Sequence, residues 1–385
     1  MIKKRKILFI NSNVLINVVI GIIIIVILSA ESHENAALFF LRAEEAEQPP
    51  YTFSPIIEEV TWDFSSLKQE AEGSDLWPMT WAFDENLYTA WGDGGGFGGT
   101  NAIGRVSIGI ARIEGTGEKW TGVNICGGES SISQPDFIGK CNGGIICIEN
   151  ILYLYVSEQN AWKQCKIGKS TDYGKTWVWG PDEQSFDSAP WLFTEPDGAF
   201  ASPGIIQFGR SYEGARDNYV YGYGHQGLSN ALALFRVPKD RLLDRDSYEF
   251  FSGLDERGNP RWTFDISLRK SVFTDPNGIS WGYNAVYHPQ LDRYLLTVQR
   301  NKNREGSKWG IFDAPQPWGP WTTVAYYDTF IDDVWKFSFV INQKWLSNDG
   351  KTMWMVFSGV NKYDAFNVIK GTLVLKKTNL SAFLR

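Results

Sequence analysis

Short apolar runs rich in aromatic and β-branched residues recur along the chain from residue 56 onward, and almost no stretch repeats its apolar positions at the helical period. The runs fall into sets. MTWAF, LYTAW, VSIGIARI and KWTGV make the first, GGIICI, ILYLYV, WKQCKIGKS and TWVW the second, and PGIIQF, YVYGYG, ALALFRV and YEFFS the third. YNAVYH, RYLLTV, KWGIFDA and WTTVAYY form a fourth, and SFVINQKWL, TMWMVFS and VIKGTLVL form a fifth that lacks a member. IIEEVTW, at residues 56–62, supplies the missing strand from the N-terminal side. Five four-stranded units closed by strand exchange predict an all-β chain, a five-bladed β-propeller over residues 56–385. A β-sandwich is the runner-up, but it does not readily give five similar units.

Ahead of these sets the pattern changes. Lys3, Lys4, Arg5 and Lys6 precede an apolar stretch over residues 7–30. A basic start followed by an apolar run is the export pattern, either a signal peptide or a signal anchor that keeps the N-terminus in contact with a membrane. Its strongest part, residues 14–28, is shorter than the ~20 residues of a full span. Residues 31–55 are charged and then proline-bearing, and read as a linker. The expected location is periplasmic, extracellular or membrane-anchored. In an exported chain Cys126, Cys141, Cys147 and Cys165 predict two disulfides, with Cys126–Cys141 and Cys147–Cys165 the preferred pairing. Zinc is the rival, disfavoured by the absence of a CxxC pair and by a total of 3 His.

With 385 residues, 43% apolar and 15% aromatic, the chain can bury a large core. A net charge of -7 and a pI near 5.2 leave no global basic field, which argues against nucleic acid as a partner and for a neutral or weakly charged ligand. No cofactor is expected: the run GDGGGFGG lacks the GxxxxGK[ST] pattern of a phosphate-cradling loop. A bound calcium is not readable from the residues, and a monomer is expected.

Candidate chemistry centres on residues 73–99, GSDLWPMTWAFDENLYTAWGDGGGFGG. PMTWAF reads as a strand, DEN as a tight turn and LYTAW as the returning strand, so Asp75 and Asp93 belong at one end of a hairpin and Asp84 at the other. Paired carboxylates across a cleft are what acid/base cleavage of a glycosidic bond requires. In a propeller the starts of the first strands share a face with the loops joining second to third strands. That face collects Asp75, Trp77, Asp93, Glu158, Ser202, Tyr223, His225, Tyr283, Asn284, Gln299, Arg300 and Lys336. Asp75 and Asp93 are the candidate catalytic residues. Trp77, Tyr223, His225, Tyr283, Asn284, Gln299, Arg300 and Lys336 are candidate sugar contacts, because aromatic faces edged by amides, hydroxyls and cations suit a sugar ring. The glycines after Asp93 are expected to let the backbone approach a ligand.

STDYGKTW, carrying Ser170, Asp172, Gly174, Thr176 and Trp177, resembles the Asp box of propeller sialidases, a structural turn in which Asp and Ser cap the backbone. DPNG at residues 275–278 is similar to the fructan-hydrolase motif but lies late in the chain, and reads as a turn. Across residues 56–376, TWAFDENLYTAWGDGGGFGG, RVSIGIARIEG, YEFFSGLDERGNPRW, GYNAVYHPQLDRYLLTV and APQPWGPWTTV together resemble the domain-of-unknown-function 4185 family of exported bacterial propellers. Some of its members are similar to endo-D-arabinanases of glycoside hydrolase family 183. That resemblance implies two catalytic aspartates on the first blade, which map onto Asp75 in GSDLW and Asp93 in WGDGG. The expected function is cleavage of a polysaccharide, arabinan-type by resemblance, with a non-catalytic glycan-binding propeller as the alternative. A sialidase is a weaker third reading, since no arginine cluster is visible to clamp a carboxylate.

Overall fold

The computed structural model describes residues 47–159, 161–225, 230–300 and 306–377. The chain divides into two compact units, Met1–Glu47 and Gln48–Arg385, and every strand of the described residues belongs to the second. The expected signal segment and most of the expected linker lie outside the described residues. Among the described residues no helix is long and apolar enough to cross a membrane.

Strand β1 (Ile57–Glu70) is followed by β2 (Asp75–Trp81), β3 (Leu87–Gly94), β4 (Val106–Gly115) and β5 (Trp120–Cys126), of which β2 to β5 form one antiparallel sheet in chain order. A second sheet runs β6 (Ile145–Ile148), β7 (Ile151–Ser157), β8 (Cys165–Ser170) and β9 (Val178–Trp179). Next come β10 (Gly204–Gln207), β11 (Tyr219–His225), β12 (Ala231–Pro238), β13 (Glu249–Leu254), β14 (Pro260–Thr263) and β15 (Ser271–Thr274). After these come β16 (Tyr283–His288), β17 (Arg293–Gln299), β18 (Trp309–Ala314) and β19 (Thr322–Tyr327). These last two groups join into one sheet where β10 and β16 pair in parallel, Ile206 beside Ala285 and Gln207 beside Val286. Finally β20 (Lys336–Ile341), β21 (Thr352–Gly359) and β22 (Phe366–Leu375) lie side by side, and β1 pairs antiparallel with β22 as their fourth member. Only 3-10 turns of three residues interrupt the all-β chain among the described residues.

Every strand set read from the sequence is found as a run of neighbours, and the third gains β14 and β15. The apolar core shows how the sheets sit against one another. One cluster packs Tyr88 and Ile110 of the first sheet against Leu152 and Leu154 of the second, and another packs Leu295 and Trp309 against Phe339 and Met355. A further cluster joins the last sheet back to the first, setting Val356, Phe366 and Val368 beside Trp77, Trp91 and Trp120. Face-to-face burial of this kind leaves each sheet apolar on both sides, which explains why the strands read as nearly continuous apolar runs.

Residues 51–54, placed by composition in the linker, run beside β19: the Ser54 N–H donates to the Thr323 carbonyl at 2.8 Å and the Thr323 N–H to that of Thr52 at 2.8 Å. The expected disulfides are corrected. Cys126, Cys141, Cys147 and Cys165 are all free thiols buried in the core. Cys147 Sγ lies 3.5 Å from Ser211 Oγ, and Cys165 donates to the Phe200 carbonyl at 3.4 Å, so each fills its own packing site as a small apolar side chain does. In STDYGKTW, Ser170 Oγ accepts the Gly174 N–H at 2.8 Å, Asp172 accepts the Thr176 N–H at 2.9 Å, and Trp177 is buried against Phe137. Asp172 is thereby committed to its own turn.

Candidate functional site

Asp75 opens β2 and Asp93 is the next-to-last residue of β3, with Asp75 facing Gly92 across the ladder. Asp84 sits at the far end of this hairpin, where it accepts the Asn86 N–H at 3.1 Å and the Tyr88 hydroxyl at 2.8 Å. The strand between is not regular. Its register shifts between Leu76 and Met79, and Leu76 and Trp77 both take left-handed φ, +79° and +58°. Such residues cost about 1–3 kcal/mol each and persist only where surrounding contacts fix them. Here the Leu76 N–H donates to Ser358 Oγ at 3.1 Å, and Ser338 Oγ donates to the Leu76 carbonyl, so β21 and β20 clamp the kink. Gly73, also left-handed, donates its N–H to the Asp364 carbonyl at 2.7 Å.

The kink decides what faces the opening. In a regular strand Asp75 and Trp77 would share a face. The bulge instead drives Trp77 inward, fully buried, with its ring 6.0 Å from Trp91 and its Nε1 donating to the Ser74 carbonyl at 3.2 Å. Asp75 and Asp93 line one open cleft of about 640 Å³, together with Leu76, Lys140, Trp162, Trp281, Trp335, Phe337 and Asp364.

The two carboxylates differ sharply. Burial pushes Asp75 up to about 7, and the negative charge of Asp93 adds to that, against the opposing pull of Lys140. One of its oxygens, Oδ1, is buried without a hydrogen-bond partner. Asp93 is nearly half exposed and ion-paired to Lys140 Nζ and, at 3.4 Å, to Arg105. Lys140 itself is buried. Asp364 is a third carboxylate in the cleft, raised above its ordinary value chiefly by burial.

None of the eight expected sugar contacts lines this cleft among the described residues. Tyr223 is buried with its hydroxyl on the Pro317 carbonyl at 2.7 Å, and Tyr283 is buried with its hydroxyl on that of Ser202 at 2.7 Å. His225 packs edge-on to Tyr283 at 5.3 Å. Asn284 reaches the Phe339 carbonyl at 3.4 Å, and Gln299 is buried with its amide atoms unpartnered. Arg300 is buried on the Tyr326 ring, 3.6 Å from its centroid, and donates to Asp328 at 3.0 Å. Lys336 is buried against Asp332 at 2.7 Å and the Val334 carbonyl at 2.8 Å. Glu158 stays in its loop, its N–H donating to the Gln164 carbonyl at 2.9 Å, and Ser202 accepts from Asn142 at 2.9 Å. The glycines after Asp93 serve the protein itself: a Cβ on Gly94 would stand 2.1 Å from the Gly73 carbonyl oxygen.

The apolar wall comes instead from residues that the strand pattern does not single out. Trp162 and Trp281 stack at 6.4 Å with planes 20° apart, and Trp335 stands edge-on to Trp281 at 6.3 Å. Trp162 lies in the loop after β7, while Trp281 stands two residues ahead of β16 and Trp335 directly ahead of β20. For Trp281 and Trp335 the position just ahead of a strand run is the one signal of this role in the sequence, whereas Trp162 opens the run WKQCKIGKS and carries none.

No family model matches the chain, and no curated protein matches it in sequence. Solved structures do. A Bacteroides ovatus protein that carries a provisional hydrolase name is similar at 13% identity and a TM-score of 0.50, over 80% of this chain and 87% of that one. The α-L-arabinofuranosidase of Podospora anserina, solved with cellotriose, gives 10% identity and a TM-score of 0.43 over 80% and 91% of the two chains. A β-xylosidase gives 11% and 0.46 over 80% and 95%. At such identities the Bacteroides ovatus likeness shows a shared fold, and the other two stand as resemblances alone.

Proposed function

We propose that the chain is a five-bladed propeller of glycosidase type that cleaves a neutral polysaccharide, arabinan-type by resemblance, after export from the cytoplasm. The ring reading is supported by core clusters that link each sheet to the next, Ile146 and Tyr155 of the second with Ile205 and Phe235 of the third among them, and the last to the first, with β1 completing the last sheet. The Ser170–Trp177 turn then fits an Asp box between third and fourth strands.

One observation carries the activity: two carboxylates share an open cleft in opposite electrostatic settings, Asp75 desolvated and raised to about 7, Asp93 paired to two cations. Environments that split a carboxyl pair in this way assign acid and base. Asp75, protonated, donates its proton to the leaving glycosidic oxygen as the bond to the anomeric carbon breaks. Asp93, ionised, faces the positive charge that develops on the sugar and acts as base toward water or as nucleophile. Trp162, Trp281 and Trp335 offer the apolar surface against which a sugar ring packs.

The test is release of reducing ends from arabinan, arabinogalactan and xylan. We expect activity on at least one, a loss of about 10³-fold or more in both Asp75→Asn and Asp93→Asn, and a rate that falls as pH rises through 7 because Asp75 must be protonated. An inactive native protein, or variants equal to it, would overturn the proposal. The aromatic wall would serve a non-catalytic glycan-binding propeller equally well; binding without cleavage, unchanged by either substitution, would select that reading.

A further inference from the structure

A second cavity, of about 590 Å³, lies at the other end of the same strands. Asp75 is the first residue of β2 and faces the cleft; Trp81 is the last and lines this cavity, roughly 20 Å away along a seven-residue strand. The remaining walls come from the turn after β2, the segment after β10, the end of β16 and the segment after β20. The two openings are therefore separate, and no residue lines both.

Its chemistry is unlike the cleft's. Arg210 donates to Glu85 at 2.6 Å and to Glu213 at 3.1 Å, and Trp81 Nε1 reaches the other oxygen of Glu85 at 3.2 Å. Lys344, half-buried, carries no hydrogen bond or ion pair among the described residues. Gln343 spends its amide N–H on the Tyr287 carbonyl at 2.5 Å, which leaves Oε1 buried and unpartnered. The charged lining balances, two carboxylates against two cations. A cation would meet carboxylates already paired, and an anion would meet, beside Lys344, an arginine already held by two carboxylates, of which Glu85 also acts on the Lys344 charge. Beside the charges stand flat apolar surfaces: Trp81 in the wall, and Phe83, half exposed under the Arg210 guanidinium at 5.1 Å.

Fixed donors and acceptors of both signs, zero net charge and aromatic faces describe a site for a neutral ring edged with hydroxyls. We propose that this cavity is a second carbohydrate-binding site, which holds a neutral oligosaccharide through Trp81, Lys344 and the Arg210–Glu85 pair and performs no cleavage. The site does not depend on hydrolysis in the cleft. It would keep a polysaccharide chain on the protein whichever reading of the cleft holds.

The test is calorimetric titration of the full chain carrying Asp75→Asn, which prevents turnover, with arabinohexaose, xylohexaose and cellohexaose. We expect at least one probe to bind, and Lys344→Ala and Trp81→Ala each to weaken one binding step by roughly tenfold or more. Trp281→Ala should leave that step unchanged, and a second step lost in Trp281→Ala would belong to the cleft. If the cleft binds nothing, a single step lost in Lys344→Ala still supports the second site while counting against the function proposed above. Because Trp81 also packs on the core, Lys344→Ala decides where the two variants disagree. The proposal is overturned if none of the probes binds, if Lys344→Ala leaves every step intact, or if the only step is lost in Trp281→Ala.

Discussion

Asp75 sits where its charged form is disfavoured, and that has consequences separable from catalysis. Its value rises from 3.8 to about 7 on folding, so between those limits the native chain holds a proton that the unfolded chain has released. Stability contributed by this group is therefore intact below pH 4 and is lost as pH rises toward and through 7. Asp75→Asn removes the liability. The variant should match the native protein near pH 4 and exceed it above pH 7, by on the order of 2–4 kcal/mol, in denaturant titrations run at both values. Equal stability of the two proteins at pH 8 would show that Asp75 is solvated. The neighbours set the same value from opposite sides, since Lys140 lowers it and Asp364 raises it. Lys140→Met should move the alkaline limb of the pH–rate profile upward and Asp364→Asn should move it downward; shifts in the same direction would mean that a different group controls the limb.

The element that makes this site is a bulged strand, and the bulge marks the border of what the sequence discloses. Alternating and continuous apolar runs place β2, β3 and their hairpin, and spacing alone puts Asp75 and Asp93 at one end of it. Two left-handed residues at Leu76 and Trp77 leave no trace in such a pattern, because their cause is remote: hydroxyls of Ser338 and Ser358, more than 250 positions further on. The pattern consequently puts Trp77 on the open face. Tyr223, Arg300 and Lys336 mislead for a related reason, since polar side chains in or beside the first and second strands of these sheets are buried against backbone carbonyls and paired acids. Of the tryptophans that do line the cleft, Trp281 and Trp335 are set apart from core residues in sequence only by standing just ahead of a strand run. Gly92 ties the bulge to the chemistry, because a Cβ there would stand 2.8 Å from Asp75 Oδ1 and 3.2 Å from Leu76. Gly92→Val should leave the strands intact, cost about 1–3 kcal/mol, and reduce any activity far more than Thr89→Val on the same strand. Similar losses in both would deny the contact a special role.

At the scale of the molecule, stability depends on closure. Strand β1 comes from the opposite end of the described chain, and it covers an edge of β22 that would otherwise present free N–H and carbonyl groups. Trp62 anchors it: the indole donates to the Tyr327 hydroxyl at 2.8 Å and its ring meets Trp309 at 6.1 Å and Phe330 at 5.3 Å, so one side chain ties β1 to both β18 and β19. Because the clusters run from sheet to sheet and back to the first, loosening this contact removes support on two sides of the last sheet. Trp62→Ala should therefore lower stability by about 3 kcal/mol, a typical cost for deleting a large aromatic that is only partly buried. The loss should spread beyond the mutated strand. Amide exchange is expected to quicken in β20 and β22, and also in β2, which packs against them, while the hairpin of β7 and β8, in a sheet that β1 does not touch, keeps its protection until global unfolding. An acceleration confined to β1 would describe a clip-on strand with an independently stable remainder. Spread into β2 would connect the closure to the end of the strands that carries the cleft, since Leu76 is held by β20 and β21, and the pair Asp75 and Asp93 would then lose its geometry before the protein unfolds.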